Sequence, residues 1–233
     1  MKRVILILAI IVGVSLVVTA NETMKPKKAM KNFRAVPVKD AEILQKGKAK
    51  MFCNVCGMTL PMFYKTNHVG TINNEQHQYC SIHCLEEDAL TKGKKATNVK
   101  VVDNSTLKFI ESKSAFYVVG SKKPATMSMV SKYAFGTQED ANKFANKFGG
   151  EVMKYNELEK IVKNSMQKEI SMITKRQAKA AKMGEKIYHK MCKETDERFQ
   201  TAGEAKAFIK DKKLCGKLKG KPFQQVGLYL AGK

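Results

Sequence analysis

Four cysteines fall in two short groups, Cys53 and Cys56 in FCNVCGM and Cys80 and Cys84 in YCSIHCL. A CxxC pair can aim two sulfur atoms at one centre when the chain turns sharply behind it, and Gly57 follows where such a turn needs a residue without Cβ. The CxxxC pair sits at an expected helix start, where residues four apart lie one above the other. With 23 residues between the groups, CxxC…CxxxC has the spacing of a four-ligand site. The chemistry this spacing supports is metal binding or thiol redox.

Four thiolates alone form a closed cage that suits structural Zn(II). Methionines nearby point instead to Cu(I), because a thioether is a soft ligand that suits the monovalent ion. Met58 lies two residues after Cys56, Met62 follows, and TMSM carries Met127 and Met129. Met58 and Met127 are the expected thioether ligands, whereas Met62 and Met129 are equally suited to filling gaps in a core. His83, inside the CxxxC, is a further candidate ligand or a solvent-facing residue, and His68 and His77 read as surface positions of a hairpin. Disulfide exchange competes, since CxxC is also a redox spacing. Against it, Gly57-Met58 stands where a redox helix would begin, and no βαβ pattern precedes the motif. Hydrolases lack support too, with neither GxSxG nor HExxH present. No residue is assigned a catalytic role, and the chain reads as a binding protein rather than an enzyme.

The elements that must position these sulfurs lie in a chain of 233 residues, 43% of them apolar, enough for a core. Met1-Lys2-Arg3 precedes a charge-free run from Val4 to Ala20, which as a helix would span about 26 Å. This is an export signal, either cleaved after Ala20 or kept as an inner-membrane anchor. The flanking positive charges leave the remainder outside the cytoplasm, periplasmic or secreted. Thiols kept free in such a compartment have a use. Lys and Arg number 43 against 21 Asp and Glu, a net charge of +22. Outside the cytoplasm that excess fits an anionic membrane surface or an acidic protein, and nucleic acid is set aside.

Five segments follow: residues 1–20 as signal or anchor, 21–48 as a basic linker ending in a short helix from Asp40 to Gln45, 49–162 as the metal-binding domain, 163–183 as a helical connector and 184–233 as a small all-α tail. In the domain, short β-type runs are expected at His68–Ile72, Val99–Val102 and Ala115–Val119. A helix over Glu139–Phe148 has Thr137 as its N-cap and Gly149-Gly150 as its stop. From Tyr155 to about Cys192 apolar residues repeat at helical spacing, with Gly184 as an expected interruption. In the tail, a bridge between Cys192 and Cys215 would contribute about 3 kcal/mol in the chain-entropy model to a segment with little core.

The segments FCNVCGMTL, YCSIHCLEED, KVVDNSTLKFIESKSAFYVVGS and TMSMVSKYAFGTQEDANKFANKFGGEV, in that order, resemble the NosL-type family of nitrous-oxide reductase accessory proteins over Ala49 to Val162. The resemblance implies an exported α+β domain of two ββα-type halves, related to organomercurial lyase. It also implies Cu(I) carried for the copper centres of nitrous-oxide reductase, and docking to an ABC-type maturation complex in the membrane. Cys56 and Met58 match the family's CGM ligands, Cys53 the cysteine before them and Met127 the later methionine. Cys80 and Cys84 leave three roles open: a zinc knuckle, added Cu(I) ligands, or a disulfide. The tail is faintly similar to a class-I cytochrome c in GEKIYHKMC and its closing helix. It lacks CxxCH, so covalent haem is not expected.

Overall fold

The computed structural model describes residues 32–233, and the run expected to be an export signal or anchor, with the first part of the expected basic linker, lies outside them. The elements run β1 (His68–Ile72), β2 (Glu75–Tyr79), α1 (Ile82–Thr91), β3 (Thr97–Val102), β4 (Phe109–Glu111), β5 (Phe116–Val119), β6 (Lys132–Phe135), α2 (Gln138–Phe148), β7 (Glu151–Lys154), α3 (Tyr155–Met191), α4 (Ala202–Asp211) and α5 (Gly220–Ala231). The fold is α+β, with two antiparallel sheets ordered β2-β1-β3-β4 and β6-β5-β7. Each half repeats one path: a hairpin, a helix, and a strand that returns beside the hairpin's first strand. The halves are therefore ββαβ units, although no repeat is visible in the amino acids.

Local chemistry explains the elements. Asn73 and Asn74 both take positive φ, 52° and 63°, as the two-residue turn between β1 and β2 requires. Ser81 caps α1 by accepting from the Cys84 amide, and Thr137 caps α2 by accepting from that of Asp140. Tyr117 and Val119 of β5, Val101 of β3 and Ile82 of α1 meet Leu158, Val162 and Met166 of α3 in a core shared by both halves. Of the helical period read from the sequence, Leu158, Val162, Met166 and Ile173 are on the buried face of α3, whereas Ile161 and Ala178 are exposed.

Three expectations are corrected. Residues 41–45 are not helical: the structure has one 3-10 turn at Val38–Asp40 and then chain held by tertiary bonds. The Leu44 amide donates to Gln78 Oε1 and that of Glu42 to the Tyr64 hydroxyl, which takes the donors a helix would use. Gly184 does not interrupt α3, which runs continuously for 37 residues. Its missing side chain admits α5 instead, since a Cβ there would lie 2.0 Å from the Gln225 carbonyl oxygen. His68 is buried, because its face of β1 packs against the second sheet, where its ring stacks on Tyr117 of β5.

Beyond α3's midpoint, Tyr188 joins Ile209, Leu214, Val226 and Leu230 in a separate core. Cys192 and Cys215 are disulfide-bonded across a separation of 23 residues. Thr201 and Glu204 form a reciprocal capping box that starts α4. Among the described residues, no helix is long and apolar enough to cross a membrane.

Candidate metal centre

The first cysteine pair is held by a tight reversal. The Cys53 amide donates to the Met58 carbonyl, the Gly57 amide to that of Cys53, and Phe52 bridges Thr59. Gly57 sits at φ +68°, and a Cβ there would lie 2.7 Å from Ala202 Cβ, so glycine is demanded both by the turn and by what packs behind it. Cys80 follows the last residue of β2, and Cys84 lies in the first turn of α1. They are not stacked within one helix as expected: Ser81 makes the junction, and the two sulfurs face each other from a strand end and a helix start. Asp88 of α1 accepts from the hydroxyl of Tyr79 at 2.7 Å and from Nδ2 of Asn54 at 3.3 Å, tying both cysteine-bearing segments to one helix.

The four Sγ atoms converge within 4.8 Å of one another, all buried, and all four cysteines are free. Cys56 and Cys80 sulfurs are 3.5 Å apart, those of Cys80 and Cys84 3.7 Å. Sulfurs at the corners of a tetrahedron, each about 2.3 Å from a central ion, would be about 3.8 Å apart. The donor set and its spacing thus fit a thiophilic metal ion. Burial raises the Cys53 thiol, but hydrogen bonds from Cys56, Cys80 and Cys84 outweigh it and hold Cys53 well below the usual thiol range. Cys80 is pushed well above that range, first by burial, and Cys84 by its hydrogen bonds to the other three.

Met58 and Met127 are partly buried and pack against the apolar cluster that the four cysteines form with Leu60, Ile72, Tyr79, Leu85 and Ala89. Met127 takes φ +56°, unusual for a side chain of this kind, in the segment between β5 and β6. That segment is shaped by the Tyr133 hydroxyl donating to the Pro124 carbonyl, a Ser121–Ser131 hydroxyl pair, and the Arg34 guanidinium on the Ala125 carbonyl. Met129 and Met62 are exposed, and Met129 sulfur accepts from Arg176 at 3.4 Å. His83 is also apart from the sulfurs. Its Nδ1 is 2.9 Å from Glu169 of α3 and its Nε2 3.3 Å from Glu87. Burial lowers its pKa, but these two carboxylates outweigh burial and raise it. His77 is near Glu75 on the hairpin.

One residue of the site escaped the sequence reading. Lys206 of α4 is 1% exposed, and its ammonium donates to the Gly57 carbonyl at 2.6 Å, to Thr59 Oγ1 at 3.2 Å and to Gln224 Oε1 at 2.8 Å. Gln224 donates in turn to the Cys56 carbonyl at 2.8 Å. Burial presses the Lys206 pKa down to about 8, opposed by Coulombic attraction to Cys56 and Cys53. Its signal was positional: Ala202, Ala205, Lys206 and Ile209 share one helical face, and that face is buried.

A solved structure, the copper chaperone NosL from Shewanella denitrificans, is similar at 22% identity and a TM-score of 0.39, covering 50% of this chain and 96% of that one. No curated protein matches the chain. The family model NosL matches residues 45–162, more than half of the length, and the chain belongs to the NosL family.

Proposed function

We propose that this protein is a Cu(I) carrier that works outside the cytoplasm and delivers copper to nitrous-oxide reductase as its copper centres are assembled during denitrification. The observation that carries the reading is the convergence of four buried free thiols, in an apolar cluster against which Met58 and Met127 pack, in a chain of the NosL family. Thiolates supply affinity, and neutral thioethers at the edge are readily displaced, so copper leaves by ligand exchange with a recipient that binds it more tightly. No bond of a substrate is made or broken, and no catalyst is needed. The apoprotein of nitrous-oxide reductase is the recipient, and an ABC-type membrane complex the docking partner. The N-terminal apolar run serves as signal or inner-membrane anchor, and the excess of lysine faces anionic lipid.

A second reading is favoured by the sulfur spacing itself: a tetrathiolate cage is the common arrangement of structural Zn(II). Cys56→Ser separates the two. The carrier loses its stoichiometric Cu(I) yet keeps its unfolding transition, whereas a zinc-built fold loses the transition along with the metal. Protein purified without oxygen that contains Zn(II), resistant to Cu(I) chelators, would replace the first reading with the second.

A further inference from the structure

The helical tail lies outside the residues matched by the family, yet it reaches the cysteine knuckle with a buried cation. Lys206 enters from α4. Its stem crosses Gly227 of α5, where a Cβ would lie 2.5 Å from Lys206 Cγ, so the glycine provides the channel. Its ammonium ends between the rings of Phe52 and Phe223, 4.3 and 4.9 Å from their centroids. Three oxygens receive it, and two of them belong to the knuckle, Gly57 O and Thr59 Oγ1. The third, Gln224 Oε1, belongs to a side chain that itself grips the Cys56 carbonyl. An ammonium so fully desolvated is costly unless negative charge lies close by. The turn it holds carries Cys53 and Cys56, thiols that become anionic when a metal ion displaces their protons.

We propose that Lys206 is a positioning residue of the metal site, the counter-charge that the tail supplies to the thiolate cluster, and that it raises the site's affinity for a thiophilic cation. The inference rests on reading the cluster as a metal site, but not on the ion being copper. When Cu(I) binds, each ligating thiol loses its S–H bond, the proton goes to solvent and an S–Cu bond forms, with no change of oxidation state. One monovalent cation on two or more thiolates leaves the site negative. A fixed positive charge beside it therefore favours the loaded state over the empty one. Gly57, Gly227, Phe52, Phe223 and Gln224 then share one purpose, to carry a cation from the tail to the back of the CxxC turn.

The test is competitive titration of the full chain without oxygen, using Cu(I) and separately Cd(II), whose ultraviolet thiolate charge-transfer band counts bound sulfur. Lys206→Gln keeps a donor for Gly57 and removes the charge, and Lys206→Met keeps the stem. Both are expected to lose about tenfold or more in affinity, as one unit charge at intermediate dielectric implies, while the unfolding midpoint of the metal-free protein stays near that of the parent. A purely structural clamp would lower affinity only in step with that midpoint, and that result overturns the inference. So does affinity within about twofold of the parent for both ions. If the parent takes up Cd(II) but not Cu(I), the carrier reading fails, and the Cd(II) affinities of the two variants decide the role of Lys206 by the same criteria.

Discussion

In the first ββαβ unit, α1 closes over Cys53, Cys56, Cys80 and Cys84, with Leu60, Ile72 and Leu85 around them. In the second, α2 closes over Tyr133, Phe135 and Phe144, with Phe33 and Phe148 at the edge. The chain path and the cap chemistry are the same, but the filling differs. Aromatic rings interlock in the second unit, Phe144 lying 5.0 Å from Phe135 and 4.9 Å from Phe148 between centroids, and such a core holds itself together. Four thiols fill less volume and interact through weak hydrogen bonds. One unit is thus packed by interlocking rings, and the other by four thiols whose spacing can hold a metal ion.

Truncating the aromatic core should have the largest effect. Phe144→Ala is expected to cost about 3–5 kcal/mol in denaturant unfolding, equally with and without Cu(I), because no sulfur touches that cavity. A cost that shrinks on metal loading would mean that the two units are not separable in this way.

Acidification probes the seam between them, where His68 of β1 stacks on Tyr117 of β5. Burial presses the His68 pKa down to about 4, with Lys132 adding to the effect and the Thr66 carbonyl opposing it. The unfolded chain accepts a proton below about pH 6.5 that the folded one refuses until about pH 4, so stability must fall as pH drops through that window, by on the order of 3 kcal/mol. His83 acts with the opposite sign: its raised pKa adds stability below about pH 6.5 that is lost as pH rises. His68→Gln should therefore flatten the acid side of the stability profile measured by urea unfolding. An unchanged slope would place the acid sensitivity elsewhere.

The caps give the smallest and most pointed contrast. Ser81→Ala and Thr137→Ala should each cost about 1 kcal/mol of stability. Only the first should weaken Cu(I) binding, because Ser81 holds the Cys84 amide at the start of α1. Equal loss of affinity in both variants would erase the division of labour between the units.

Much of the sulfur site was legible because cysteine spacing and Gly57 are local signals, and Thr137 and the Tyr155–Cys192 period are local as well. What was misread depends on partners far away in sequence. Residues 41–45 look helical until Gln78 and Tyr64 take their amides. His83 could face solvent by its sequence alone but is buried, and Glu169, 86 residues later, meets its nitrogen. Lys206 is one of many lysines, and only the fold distinguishes it, by bringing it to Gly57 across 149 residues. His68 looks like a surface position of a hairpin until the second sheet brings Tyr117 against its ring, 49 residues later in the chain.

The most direct measurement is Cu(I) uptake per chain by protein kept free of oxygen, with the Cys192–Cys215 bond intact. The account predicts one tightly held ion, lost when Cys53 and Cys56 are both replaced by serine and kept when Cys192 and Cys215 are. No uptake by the parent, or uptake undiminished after removal of Cys53 and Cys56, would contradict it.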